Sequence, residues 1–93
     1  GKMIQHDFVI SYDIADVKRL RKIAKCLEKN AFRIQKSVFF YPQATQADIF
    51  ALVDELEEII DQEEDDIRIY HVDIKNSIAL ESGIDLTNFN LVF

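Results

Sequence analysis

The period of the apolar positions changes several times along this chain, and each change marks an element. From Ile4 to Tyr12 the residues are β-branched or aromatic, and Phe8, Ile10 and Tyr12 alternate with Val9, Ser11 and Asp13, the period of two that a strand presents. Asp16 stands where a helix cap is needed. Val17, Leu20, Ile23, Ala24 and Leu27 then share one helical face, Lys18, Lys22, Lys25 and Lys29 the other, and Asn30 is the stop. Residues 31–41 turn strand-like again through Phe32, Ile34, Val38, Phe39, Phe40 and Tyr41, but Gln35-Lys36-Ser37 interrupts them, leaving either one long bent strand or two short ones. Pro42 closes that segment, and Thr45 with Asp48 three residues on forms a capping box. In the helix that follows, Ile49, Leu52, Val53, Leu56, Ile59 and Ile60 make one stripe, and Asp54, Glu55, Glu57, Glu58 and Asp61 cover the remainder. An acidic loop over 62–66 leads to a strand over about 67–72. After a break near 75–83 the chain reaches the apolar Leu91-Val92-Phe93.

Strand, helix, strand or strand pair, helix, strand is the order of an α+β ferredoxin-like sandwich (βαββαβ), with two helices on one face of an antiparallel sheet. The other sheet face needs cover, which a face-to-face homodimer about a twofold axis supplies. Size points the same way, because 93 residues bury only about two thirds of their unfolded surface. The apolar tail predicts a short extra C-terminal strand, on its own sheet or on the partner's edge. Gly1-Lys2 before Met3 reads as an expression remnant, leaving a single domain over 3–93.

Composition narrows the class. A chain 48% hydrophobic and 30% charged with two glycines and one proline is built of regular elements and is neither disordered nor rich in linkers. No apolar run approaches the roughly 20 residues that cross a bilayer, so no membrane partner and a cytoplasmic location are expected. The single cysteine, Cys26, has no second thiol to pair with and reads as structural. The net charge of -6 argues at first against nucleic acid. Yet residues 1–47 carry nine positive and four negative side chains, and 48–93 two positive and thirteen negative. Salt confines surface fields to about 8 Å, so a basic face can still act on a polyanion.

Asp13 is the residue to explain. A carboxylate at the end of an apolar strand is held by a rigid element while the loop beyond stays open, which suits a metal site. The plainer alternative is an Asx-type turn residue satisfying nearby amides. Neither His6 nor His71 offers a convincing general base, and both read as structural or surface residues.

The chain resembles the CRISPR-associated protein two family, small ferredoxin-like partners of the CRISPR integrase. The resemblance is carried by Tyr12-Asp13-Ile14 closing the first strand and by the basic helix entry Asp16-Val17-Lys18-Arg19-Leu20-Arg21-Lys22-Ile23-Ala24. The segment Arg33-Ile34-Gln35-Lys36-Ser37-Val38-Phe39 and the acidic loop before Asp66-Ile67-Arg68-Ile69-Tyr70 complete it. It implies a homodimer, a role in spacer acquisition beside the CRISPR integrase, and magnesium-dependent endonuclease activity on RNA or DNA. By position, Asp13 matches the family's metal-binding and catalytic aspartate. Arg19 and Arg21 match its basic helix-entry residues, and Arg33, Ser37 and Phe39 those of its second strand region. Mg²⁺, or Mn²⁺ in its place, takes oxygen ligands and binds through one or two carboxylates plus phosphate, so one ion per dimer shared by two Asp13 is expected. Arg19, Arg21 and Arg33 can fork onto the phosphates of double-stranded DNA or single-stranded RNA, and loss of Arg19 or Arg21 is expected to weaken binding and flatten its salt dependence. Phe39, inside an apolar run, fits a core or interface position better than a base-stacking one. A related toxin ribonuclease or a small-molecule-sensing dimer is the alternative.

Overall fold

Local chemistry sets the elements. The computed structural model describes residues 4–72 and 90–91. The alternating segment forms β1 (His6–Asp13), and Asp16 caps α1 (Val17–Glu28) by accepting from the Arg19 amide at 3.0 Å. Two strands follow, β2 (Phe32–Gln35) and β3 (Val38–Ala44), so the interrupted segment is a hairpin. Ser37 makes the turn with φ of 64°, in the left-handed region. Strand β3 runs through Pro42, where the sequence suggested an end. The β1–β3 register shifts between His6 and Phe8, Gln43 takes φ of 52°, and its amide donates to Asp7 Oδ1 at 2.9 Å. A proline costs a sheet little at such a bulge.

Helix α2 (Gln46–Ile59) opens on the expected capping box, with the Asp48 amide donating to Thr45 Oγ1 at 3.1 Å and the Thr45 amide to Asp48 Oδ2 at 2.9 Å. Such a cap contributes about 1 kcal/mol. Strand β4 (Asp66–Val72) and the short β5 (Asn90–Leu91) complete a five-stranded antiparallel sheet in the order β2-β3-β1-β4-β5. Strand β5 pairs with β4 of its own chain, Leu91 opposite Tyr70, which places this expected extra strand. The break expected over 75–83 and the residues Val92-Phe93 lie outside the described residues.

Both helices lie on one face of the sheet. Phe8, Ile10, Tyr12, Phe39, Tyr41 and Ile69 from the strands meet Ile23, Cys26 and Leu27 from α1 and Ile49, Leu52 and Leu56 from α2. The helical stripes read from sequence are these contact lines with one exception: Val17, at the first turn of α1, is 61% exposed. The opposite parity, Val9, Val38, Phe40 and Val72, forms a second apolar cluster with Ile34 and Tyr70 against it. Among the described residues no helix covers that second face.

Cys26 ties the helices together. Its thiol donates to Glu55 Oε2 at 2.9 Å, and Lys29 Nζ reaches the same oxygen at 3.4 Å. Burial, with the Glu55 carboxylate adding to it, pushes the thiol pKa up to about 11. The thiolate is the form that attacks a disulfide reagent, so native protein at about pH 8 is expected to react roughly 100-fold more slowly than urea-unfolded protein. Equal rates in an absorbance-followed disulfide exchange would show an accessible, unperturbed thiol.

Candidate functional site

Strand parity decides where Asp13 points. It follows Val9 and Ser11 on the sheet face away from the helices, at the exit of β1, and is exposed. The turn role open to it from sequence is filled by other carboxylates: Asp65 Oδ1 accepts from the Ala15 amide at 2.9 Å, and Asp16 Oδ2 from the Arg19 amide. Among the described residues the Asp13 side chain accepts no hydrogen bond. Directly across the ladder stands Asp66. Like charges opposite one another on antiparallel strands repel. For Asp66 the repulsion is offset by Arg68, whose Nε lies 2.9 Å from Asp66 Oδ2. Asp13 is thus an exposed hard oxygen donor beside a second carboxylate, a chemistry that fits a divalent cation completed by water and phosphate. Among the described residues no three His, Cys, Asp or Glu side chains of one chain gather as a complete ligand set.

The residues named from sequence do not all converge on Asp13. Ser37 does come close, since its carbonyl accepts from the Tyr12 amide at 3.0 Å and sets the β2–β3 turn beside the end of β1. Phe39 lies beneath the helices with no exposed surface, so it packs and cannot stack on a base from that position. Arg33 pairs with Phe39 across the β2–β3 ladder and holds its guanidinium 5.4 Å from that ring. It therefore belongs to the helix-bearing face, two strands from β1, and the register separates it from Asp13. Arg21 is exposed on α1, lining with Lys22, Lys25 and Glu28 a shallow basic depression. His6 and His71 face one another at the opposite end of β1, Nδ1 to Nε2 at 3.0 Å. With Ile4, Phe8, Gln46, Ile49 and Phe50 they line a cavity of about 290 Å³ there, remote from Asp13.

Arg19 is occupied otherwise than the sequence suggested. Its Nε donates to Asp65 Oδ2 at 2.7 Å, and its Nη2 to Asp65 Oδ1 and Glu64 Oε2, both at 3.2 Å. The Asp65 side chain is fully enclosed. The Arg19 guanidinium, followed by the Asp61 and Ala15 amides against the opposing effect of burial, holds the Asp65 carboxyl well below the usual carboxylate range. Sequence reading passed over Asp65, because nothing in the run Glu63-Glu64-Asp65-Asp66 tells which acid turns inward. A depressed pKa stabilises the fold fully above the ordinary carboxylate value of about 4, and that contribution is lost as pH falls below it. The stability difference between wild type and Asp65→Asn is expected to shrink as urea titrations are carried from about pH 6 to about pH 2.5. A gap constant over that range would mean that Asp65 carries no special charge stabilisation.

The order of elements, the sheet order and the carboxylate at the exit of β1 define a ferredoxin-like protein with a strand-end acidic centre. The family model described as CRISPR associated protein Cas2 matches residues 6–77, and the chain belongs to that family. It is 36% identical over 64 residues to the CRISPR-associated endoribonuclease Cas2 1 of Nitrosomonas europaea, covering 69% of this chain and 60% of that one. To the CRISPR-associated endonuclease Cas2 of Halalkalibacterium halodurans it is 37% identical over 93 residues, covering 82% and 95%. It is 40% identical to the CRISPR-associated endoribonuclease Cas2 4 of Rhodospirillum rubrum, over 75% of this chain and 56% of the relative. The chain thus spans less than two thirds of the Nitrosomonas and Rhodospirillum relatives. The crystal structure of Streptococcus pyogenes Cas2 superposes with a TM-score of 0.66 at 33% identity, covering 75% of this chain and 88% of that one. A hypothetical protein of Thermus thermophilus superposes with a TM-score of 0.72 at 28% identity, covering 75% and 84%. Among the described residues no helix is long and apolar enough to cross a membrane.

Proposed function

We propose that this chain acts in CRISPR adaptation as a homodimer that bridges the CRISPR integrase and holds duplex DNA during spacer capture, with a metal-dependent endonuclease centre at paired Asp13 residues. One observation carries the reading: Asp13 is exposed on the same sheet face as the apolar cluster of Val9, Val38, Phe40 and Val72. Packing two such faces about a twofold axis brings two copies of the carboxylate toward each other and covers the cluster. The names of the Nitrosomonas and Halalkalibacterium relatives, an endoribonuclease and an endonuclease, support phosphodiester cleavage as the chemistry.

The paired Asp13 carboxylates would hold Mg²⁺ or Mn²⁺, which when bound neutralises charge on a phosphoryl oxygen and acidifies water. The chain itself supplies position. Strand β1 fixes the two oxygen donors, the Tyr12–Ser37 bond anchors the neighbouring turn, and Arg68 offsets the charge of Asp66 across the ladder. Arg21 and the exposed lysines of α1 bind the nucleic-acid backbone, and the acidic outer face of α2 turns away from it. Cleavage of RNA and of DNA by wild type and Asp13→Asn, with and without Mg²⁺, tests the enzymatic part. Spacer capture in cells carrying the same variant tests the bridging part, since bridging does not need the carboxylate. Arg21→Ala is expected to reduce the slope of log affinity against log salt by about 1, the signature of one lost phosphate contact. A slope equal to that of wild type would remove Arg21 from the interface.

A further inference from the structure

We propose that Asp65 is a positioning residue for the Asp13 end of β1, and that Arg19 serves as its partner and not as a phosphate contact. This rests on the reading of Asp13 as the active carboxylate.

One enclosed carboxylate joins three parts of the chain. Asp65 accepts from Ala15, two residues beyond Asp13; from Arg19, in the first turn of α1; and from Asp61, at the start of the α2–β4 loop. Its chain neighbour, Asp66, stands opposite Asp13 in the ladder. The short link between β1 and α1 has no regular structure of its own, so the Ala15 bond restrains the path by which the chain leaves Asp13.

The count of lone pairs makes the assignment specific. A carboxylate offers about four acceptor positions. Asp65 uses all four: Oδ1 receives Ala15 N and Arg19 Nη2, and Oδ2 receives Arg19 Nε and Asp61 N. It has none left for a cation, so it can act on a metal centre only through geometry. The Nε edge of Arg19, with Nη2, is committed in turn. Reaching a phosphate with its Nε edge would strand a carboxylate whose side chain has no exposed surface, and an unpaired buried charge is strongly unfavourable. Lysine cannot replace it, because an ammonium on a flexible stem lacks the two-nitrogen fork that Asp65 accepts.

The test compares Asp65→Asn, Arg19→Lys and the double variant in the full chain, each checked for folding by circular dichroism, with three measurements. Mn²⁺ titration followed by paramagnetic broadening of the Asp13 resonances reads the centre, and metal affinity is expected to fall about 10-fold or more in both single variants, as when a group orienting a ligand is lost. The double variant is expected to be no worse than the weaker single one. Duplex DNA affinity against salt is expected to keep the wild-type slope in Arg19→Lys and also in Arg19→Gln, whereas Arg21→Ala lowers it by about 1. Hydrogen exchange of the Ala15 amide is expected to accelerate in both single variants. Full Mn²⁺ affinity in Arg19→Lys, additive losses in the double variant, or a slope reduced by about 1 in Arg19→Gln would each overturn the proposal. If wild type binds no Mn²⁺ near Asp13, the metal reading of that residue fails by itself. Exchange at Ala15 and the salt slopes then decide the positioning role: protection kept in either single variant rejects it, and protection lost in both with unchanged slopes supports it.

Discussion

Asp13→Asn is expected to lower metal-dependent cleavage by at least about 100-fold while leaving the fold as stable as the parent or slightly more so. The activity loss follows from the ligand role proposed for Asp13: Mg²⁺ holds few protein ligands, and removing a charged oxygen donor costs more than the 10–100-fold typical of groups that only orient a ligand. The stability effect has a separate cause. Asp13 and Asp66 face each other across the β1–β4 ladder, and among the described residues only Asp66 has a cationic partner, Arg68. Neutralising Asp13 relieves a like-charge pair, a gain of a few tenths of a kcal/mol, without disturbing any backbone amide. Activity and stability are thus expected to move in opposite directions, as when a site is kept at some cost to the fold. Metal-titrated cleavage beside urea denaturation in metal-free buffer measures both. A variant that cleaves like wild type removes Asp13 from the chemistry. A variant that loses cleavage and several kcal/mol of stability together points to a structural Asp13.

Phe39→Ala is expected to destabilise the domain by about 3–5 kcal/mol, with a fall in thermal midpoint of roughly 15–30 °C. Phe39 has no exposed surface and is among the largest fully buried side chains of the core, with Tyr12 tilted against it at 6.0 Å between ring centres and the Arg33 guanidinium nearby. Truncation leaves a cavity beneath the helices that the surrounding residues fill only in part, and a domain of this size has only about 5–15 kcal/mol to lose. Phe32 is the control. It is 53% exposed on the edge strand and meets Phe40 edge-on at 5.4 Å, so Phe32→Ala is expected to cost only about 1 kcal/mol. Circular-dichroism melts at one protein concentration compare them. If Phe39→Ala melts with wild type while nucleic-acid affinity collapses, Phe39 is a binding platform and its packing role is wrong.

Wherever the deciding interaction is local or periodic, the sequence was legible. Asp16 and Thr45 cap their helices because the groups they satisfy lie three residues away. The alternation through β1 placed Asp13 at its end and on the face opposite Phe8, Ile10 and Tyr12, since side-chain direction follows parity. The α1 stripe was right in period but one residue too long, since Val17 in the first turn is left exposed outside the core cluster. The segment 31–41 left one strand or two open, and the choice was made at a distance: Ser37 enters the left-handed region, and its carbonyl meets the amide of Tyr12, a residue 25 positions earlier.

Arg19 and Arg33 show the same boundary at the site. In sequence both are arginines near elements that lead to Asp13, equally able to fork onto phosphate. The β2–β3 register sent Arg33 to the helix-bearing face, and an acid 46 residues further along captured Arg19. Sequence by itself determined the element order outside 31–41, the two helix caps, the inward faces and a carboxylate at the exit of the first strand, because nearest-neighbour geometry and a fixed repeat settle each of these. Only the folded chain decided that Asp65, among four consecutive acids, would turn inward, that Asp66 would oppose Asp13, and that one arginine would be held while another, Arg21, stayed exposed. Those outcomes depend on how closely segments some 50 residues apart approach, and a buried charge accepts a partner only where packing delivers one within hydrogen-bonding distance.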